Sequence, residues 1–422
     1  MNNQTLKIGV PYIESTDTTA RLCSDILLPG GVSKVFYFEV EKKYEKYLCA
    51  EVSDAFVIGI LNYAFAKGID IYCQAPVTKR LLYQLNTYVL PTWPTTGNAC
   101  YKEIKLSAES YCQPIENAGA VGTASSGGVD SYYSIVRHSK DQNISKRYRL
   151  THLLIANQFN IYRSEEDTRK EFEELKESSL EIAENYNLEL VTVYTNHHEF
   201  LFDGFVQQYS FRICSYIFAL QKLFGVYYVS SGVPFLYFDF NNHDSDGADI
   251  FNLSMVSTDT LTFYSSGGEV GRTDKIAYFA ADPFIQKHLK VCNYNMDVNC
   301  STCEKCLRTM TSLDMIGRLN DYHAVFRLDE YKKRKNKYHA TVLAWQWEAS
   351  GDLIKSAEKY GYSYDGSSRL RAWICCRPVW NLKNLLKRIK FLRKLYFKLH
   401  LDYLVYGKEK ATIYRYGTEY EE

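Results

Sequence analysis

The chain has 422 residues, more than one ordinary domain holds, so two or three domains are expected. Hydrophobic residues make up 46% of it, which excludes an intrinsically disordered protein. A formal net charge of +1 excludes a global electrostatic pull toward nucleic acid or membrane. The opening MNNQTLKIGV lacks a basic segment followed by a long apolar core. No apolar run reaches the length of about 18 residues that a membrane span needs. The expectation is a cytoplasmic protein with no transmembrane segment. Of its 12 cysteines, Cys23, Cys49, Cys73, Cys100, Cys112 and Cys214 are scattered, as buried thiols of a reducing compartment would be.

Residues 1–117 read as an N-terminal α/β domain. Strands are expected over residues 6–11, 20–28 and 34–41, the last alternating through Val35, Tyr37 and Glu39. A helix over residues 53–67 has Ser53 as its cap, and a short strand follows at 69–73. Residues 77–90 form a helix with Leu81, Leu82, Leu85 and Val89 on one face, which Pro91 and Pro94 should stop. A last strand at 102–106 leads to a linker at 114–117. No motif in this region carries a mechanism, so packing and substrate recognition both stay open as its role.

The organising stretch comes next. Small and apolar residues from Ala118 read as a buried strand, then Ser126, Gly127, Gly128, Val129, Asp130 and Ser131 lead directly into a helical pattern. A strand that breaks into serines and glycines before a helix makes an anion site, because main-chain N–H groups converge at the positive end of the helix. Glycines allow close approach of phosphate oxygens, the serines add hydroxyl donors, and Asp130 can hold Mg²⁺. The spacing is not that of a Walker A loop. The run resembles the SGGxDS signature of the PP-loop ATP pyrophosphatases, and that resemblance implies an ATP site that grips the β- and γ-phosphates.

Downstream, strands at 150–156, 188–194 and 226–229 alternate with helices at 164–186, capped by Ser164, and 207–223. This is the pattern of a doubly wound parallel sheet, with ligands outside the carboxyl ends of the strands. Those ends lie at residues 126–131, 156–159, 195–198 and 230–232. His197 and His198 read as a polar loop rather than a catalytic pair. Residues 233–259, with Asn241, Asn242, His243, Asp244, Asp246 and Asp249, read as an irregular substrate loop. A further helix begins after residues 266–272, with Thr273 as cap. Arg272 and Lys275 at its start are candidates to complete a phosphate cage, Lys275 as a catalytic group beside Asp130. A solvated basic pair at a helix cap is the equal alternative.

Cys292, Cys300, Cys303 and Cys306 follow with the spacing Cys-x7-Cys-x2-Cys-x2-Cys. Four thiolates at this spacing point to a closed, structural Zn²⁺ site, with an iron–sulfur cluster as the alternative. The serine–glycine run and these cysteines, in this order, together resemble the 7-cyano-7-deazaguanine synthase family over residues 118–320. The resemblance implies a PP-loop domain over residues 118–325, with ATP held by Ser126, Gly127, Gly128, Val129, Asp130 and Ser131, and zinc held by the four cysteines. A domain's worth of residues precedes this region, and residues 326–422 follow it, so the chain looks like an enlarged, synthase-like branch.

The C-terminal extension reads as helical: residues 330–350, a short helix at 354–360, and an amphipathic basic helix at 380–401 that docks on the protein rather than on membrane or RNA. The fold class expected is α/β, a doubly wound sheet with a zinc-binding insertion and these two extensions. The expected function is ATP-dependent adenylation of a small carboxylate, with Mg²⁺ as cofactor, pyrophosphate as leaving group and ammonia or an amine as acceptor. Antiphage defence and secondary metabolism are the settings that the resemblance suggests. A tRNA thiolase and a silent ATP-binding scaffold are the alternatives, and a homodimer is an allowed assembly.

Overall fold

A computed structural model describes residues 4–95, 101–157, 164–200, 209–240, 245–292, 298–344, 348–378 and 380–381. The chain divides into two compact units between Val270 and Gly271.

In the first unit, alternation builds the opening strands. Leu6 and Ile8 of β1 (Thr5–Ile8) are buried, and Phe36, Phe38 and Val40 of β4 (Ser33–Glu41) point inward while their neighbours do not. Between them, β2 (Tyr12–Ser15) pairs with β3 (Thr19–Leu27). Helix α1 (Asp54–Lys67) is apolar on every side, and 12 of its 14 residues are buried, so it runs through the core. It ends at Gly68, whose φ of +67° only glycine adopts freely.

After β5 (Asp70–Cys73) and β6 (Val77–Thr78), helix α2 (Lys79–Gln84) passes through a π-turn over Leu85–Val89 into α3 (Leu90–Thr92). The expected stop at Pro91 does not occur. The Leu90 N–H closes on the Leu85 carbonyl, Pro91 takes a first-turn position that needs no donor, and the helical path runs on to Thr95. The strand expected at 102–106 shrinks to β7 (Leu106–Ser107), followed by β8 (Ser110–Tyr111).

The rest of the unit alternates: β9 (Ala120–Ala124), α4 (Val129–Lys140), β10 (His152–Ala156), α5 (Glu165–Tyr186), β11 (Glu189–Thr195), α6 (Tyr209–Ala219), β12 (Phe224–Ser230), α7 (Asp249–Val256) and β13 (Thr262–Ser266). Ser164 caps α5 as expected, accepting the Asp167 N–H at 3.1 Å. Strands β9 to β13 are mutually parallel and lie in the order β11-β10-β9-β12-β13. Counted along the chain this is 3-2-1-4-5, a doubly wound order whose direction reverses between β9 and β12.

The sheet does not stop at β11. Its far edge pairs antiparallel with β4, and the order continues β4-β3-β1-β5-β7, giving one 11-stranded mixed sheet. Asn196 lengthens this seam, accepting the Tyr37 N–H at 3.0 Å and donating to the Val35 carbonyl at 2.7 Å. One buried cluster draws on both sides of residue 117, with Phe36, Phe38 and Phe56 beside Val193, Ile217 and Phe263. Residues 1–117 and 118–270 therefore share a sheet and a core, and the division of the chain falls at Val270 rather than at residues 117 and 325.

The second unit is helical: α8 (Arg272–Phe279), α9 (Ile285–His288), α10 (Glu304–Met315), α11 (Leu328–Ala344), α12 (Glu348–Lys359) and α13 (Gly366–Arg371). Gly271, not Thr273, stands at the N-cap of α8. Thr273 is buried inside the helix and hydrogen-bonds Ser312 at 2.9 Å. The helices expected at 330–350 and 354–360 are α11 and a longer α12. Of the amphipathic stretch at 380–401, residues 382–401 lie outside the described residues. Asp314 organises the interior by accepting from the Tyr331 and Tyr362 hydroxyls and from Lys335.

Candidate active site and metal centre

The serine–glycine run sits where the doubly wound order reverses. It leaves the carboxyl end of β9 and enters the first turn of α4, next to the end of β12 at Ser230 and Ser231. Its shape is held from within: Ser131 Oγ donates to the Ala124 carbonyl at 3.0 Å and accepts the Ser126 N–H at 3.2 Å. Gly127 has φ +66°, a left-handed turn that would strain most other residues. Gly128 occupies the N-cap of α4 and no side chain caps that end, so the first-turn N–H groups have no intrahelical acceptor. Ser125 Oγ is buried without a hydrogen-bond partner among the described residues. Ser126 is exposed, and Asp130 is half-buried in the first turn.

This donor set could accept a phosphate group: a glycine cradle, an uncapped helix end and an orphaned hydroxyl, with the Asp130 carboxylate in the same turn. Arg272 and Lys275 open α8 in the second unit, whereas residues 126–131 belong to the first. Lys275 is 2% exposed.

A network that sequence reasoning missed anchors the loop's helix. Ser230 Oγ donates to Ser134 Oγ at 2.9 Å, Ser134 reaches Ser266 Oγ at 3.0 Å, and His138 Nε2 meets the same Ser266 at 3.0 Å. These buried contacts tie α4 to the ends of β12 and β13. Burial pushes His138 down to about 4, so its ring is neutral, and it stacks on Tyr228. The signal was present in the sequence: Ser-Ser-Gly-Gly occurs at residues 125–128, just past β9, and again at 265–268, where its serines end β13, the two strands lying on either side of β12. β13 was overlooked because its sequence TFYSS is half polar, as befits an edge strand.

Two other expectations change. His197 is a buried brace, its Nε2 facing the Gly59 carbonyl at 2.5 Å, and burial pushes it down to about 3. Residues 233–259 are not an irregular loop, since the described part contains α7 and two short 3-10 turns. Asp249 is buried against Ser210, and Asn252 accepts from Trp93 Nε1 at 3.2 Å, so this segment is pinned to α6 and to the Trp93 turn. Asn241, Asn242, His243 and Asp244 lie outside the described residues.

In the second unit the Sγ atoms of Cys292, Cys300, Cys303 and Cys306 all lie within 4.8 Å of one another. A tetrahedron on Zn–S bonds of about 2.3 Å needs sulfur separations of about 3.8 Å, and Cys300 and Cys306 stand at 3.9 Å. Cys303 is the N-cap of α10, and its sulfur accepts the Cys306 N–H at 3.5 Å. Hydrogen bonding from Cys306 pushes the Cys303 thiol down to about 5. Cys300 Sγ accepts the Cys303 N–H at 3.3 Å.

The distant ligand is placed by Asn299, which no motif singled out. Its carbonyl accepts the Val291 and Cys292 N–H groups at 2.8 and 3.2 Å, and its amide donates to the Leu289 and Val325 carbonyls at 2.7 and 3.1 Å. The four-cysteine cluster can therefore hold a metal such as zinc with no ligand position left open.

The chain was compared with protein-family models, with curated proteins and with solved structures, and none of them matches it.

Proposed function

We propose that the protein is an ATP-dependent adenylating enzyme of the PP-loop kind, with a structural zinc in its second unit. The observation that carries this reading is the position of the 126–131 run, an uncapped helix end with a left-handed glycine at the reversal point of a 3-2-1-4-5 sheet. Main-chain N–H groups at Gly127, Gly128 and Val129, with Ser126, would hold the β- and γ-phosphates, and Ser131 would keep the turn in shape. Asp130 would hold Mg²⁺, which screens the phosphate charge. The substrate carboxylate displaces pyrophosphate at the α-phosphorus. Ammonia or an amine then displaces AMP from the acyl carbon to give an amide, or a nitrile after a second activation. The residues supply alignment and charge stabilisation rather than covalent chemistry.

Thiolation would need a reactive central cysteine. Cys214 is fully buried on α6, and burial raises its thiol well above the usual range. The decisive measurement is exchange of labelled pyrophosphate into ATP, with carboxylated deazapurines as the first acids to supply. Exchange that depends on the acid and vanishes in Asp130→Ala, with circular dichroism unchanged, is the expected result. Exchange that persists in Asp130→Ala overturns the phosphate assignment. ATP binding with no exchange for any acid supports the scaffold instead.

A further inference from the structure

The last described helical stretch reverses the order that core packing demands. α13 runs on into a π-turn over Ala372–Cys376. Its inward residues are small: Ser368 and Ala372 are buried, Cys376 is half-buried, and Ala372 clusters with Ala340 and Ala344 of α11. Its outward residues are large, with Leu370, Trp373 and Ile374 57%, 67% and 55% exposed. A helix that served only the fold would turn these three inward. Arg369, Arg371 and Arg377 stand exposed on the same stretch. The charge continues along the sequence: residues 366–401 contain ten Lys and Arg and neither Asp nor Glu, in a chain whose total is 50 basic to 49 acidic residues.

We propose that this face docks on the surface of an anionic lipid bilayer. Leu370, Trp373 and Ile374 enter the boundary between headgroups and acyl chains, and the arginines meet lipid phosphates. Lipid uses both halves of the pattern. A nucleic acid would reward the cations and stack Trp373, but it would leave Leu370 and Ile374 in water. A second copy of the chain would bring two basic surfaces face to face. Among the described residues no helix is long and apolar enough to cross a membrane.

The test is co-sedimentation of the full chain with phosphatidylcholine vesicles, with and without phosphatidylglycerol, at low and high salt. Binding should be about tenfold or more stronger with the anionic lipid and should weaken with salt. Trp373→Ser with Ile374→Ser should lose about tenfold or more of it, as should Arg369→Gln with Arg371→Gln. Brominated lipid should quench tryptophan fluorescence in the parent and not in Trp373→Phe. Because these side chains are exposed, the variants should keep the parent's circular dichroism. Equal binding to both vesicles, or variants that bind as the parent does, overturns the proposal. So does failure to bind vesicles together with RNA binding, or with self-association, that the Trp373/Ile374 variant abolishes.

Discussion

His197 shows how far a residue's role is set by its surroundings. In the sequence it is half of a His-His pair at a strand end. In the fold it lies behind α1, facing the Gly59 carbonyl, so Nε2 carries the proton, and Nδ1 is buried without a partner. Its folded pKa of about 3 lies below the ordinary value of about 6.5, so the unfolded chain binds the proton more readily. The stability it contributes is complete above pH 6.5 and is lost as pH falls toward 3, at about 1.4 kcal/mol per pH unit. Denaturant melts at pH 6.5 and pH 5 should therefore show the parent losing about 2 kcal/mol more than His197→Gln, which does not titrate. Parallel losses would mean that the imidazole is not held neutral. Asp249 makes the same point: residue type suggested substrate contact, but it is buried against Ser210.

At the scale of elements, the metal loop depends on a residue that is no ligand. Asn299→Ala leaves two N–H groups and two carbonyls near the cysteines without partners, at about 1–3 kcal/mol each. The variant loaded with zinc should release it to a chromogenic chelator about tenfold faster or more, because hydrogen bonds that orient a ligand set metal affinity. Asn299→Asp keeps both acceptor contacts and should fall between. Release at the parent's rate would show that the cysteine spacing alone positions Cys292. Cys303→Ser, which removes a ligand, should lower zinc content outright, and unchanged stoichiometry by elemental analysis would refute the four-thiolate site.

The cysteine cluster was legible in the sequence because four ligands of one metal need cysteines at close, fixed intervals, and the strand-to-helix turn at 126–131 was legible because serines and glycines break a strand. Asn299 was not, because an asparagine serving four backbone groups looks like any loop asparagine. The passage through Pro91 was missed because proline's effect depends on which N–H the turn needs. α7 was hidden behind an acidic, asparagine-rich run that masked its apolar face.

At the scale of the molecule, alternation of strands and helices predicted the parallel half of the sheet well, and residues 1–117 were read as a body apart. Sequence pattern could not reveal the join, since register between β4 and β11 is a long-range fact held by Tyr194 against Glu39 and Thr195 against Phe38. The shared core gives a direct prediction. Residues 118–270 made alone should be insoluble or molten, binding hydrophobic dye, whereas residues 1–270 should melt in one cooperative transition. A well-folded 118–270 fragment would show that the cluster around Phe36 and Phe56 is dispensable.

The β4–β11 seam also bears on how the protein is made. A ribosome completes β4 long before β11 exists: at about 5–20 residues per second, residues 42–195 take roughly 8–30 seconds. Throughout that delay one side of β4 offers a row of open N–H and C=O groups to any passing nascent strand. Translation speed across this stretch, and the supply of holding chaperones, should therefore govern the soluble yield more strongly than the stability of the finished fold.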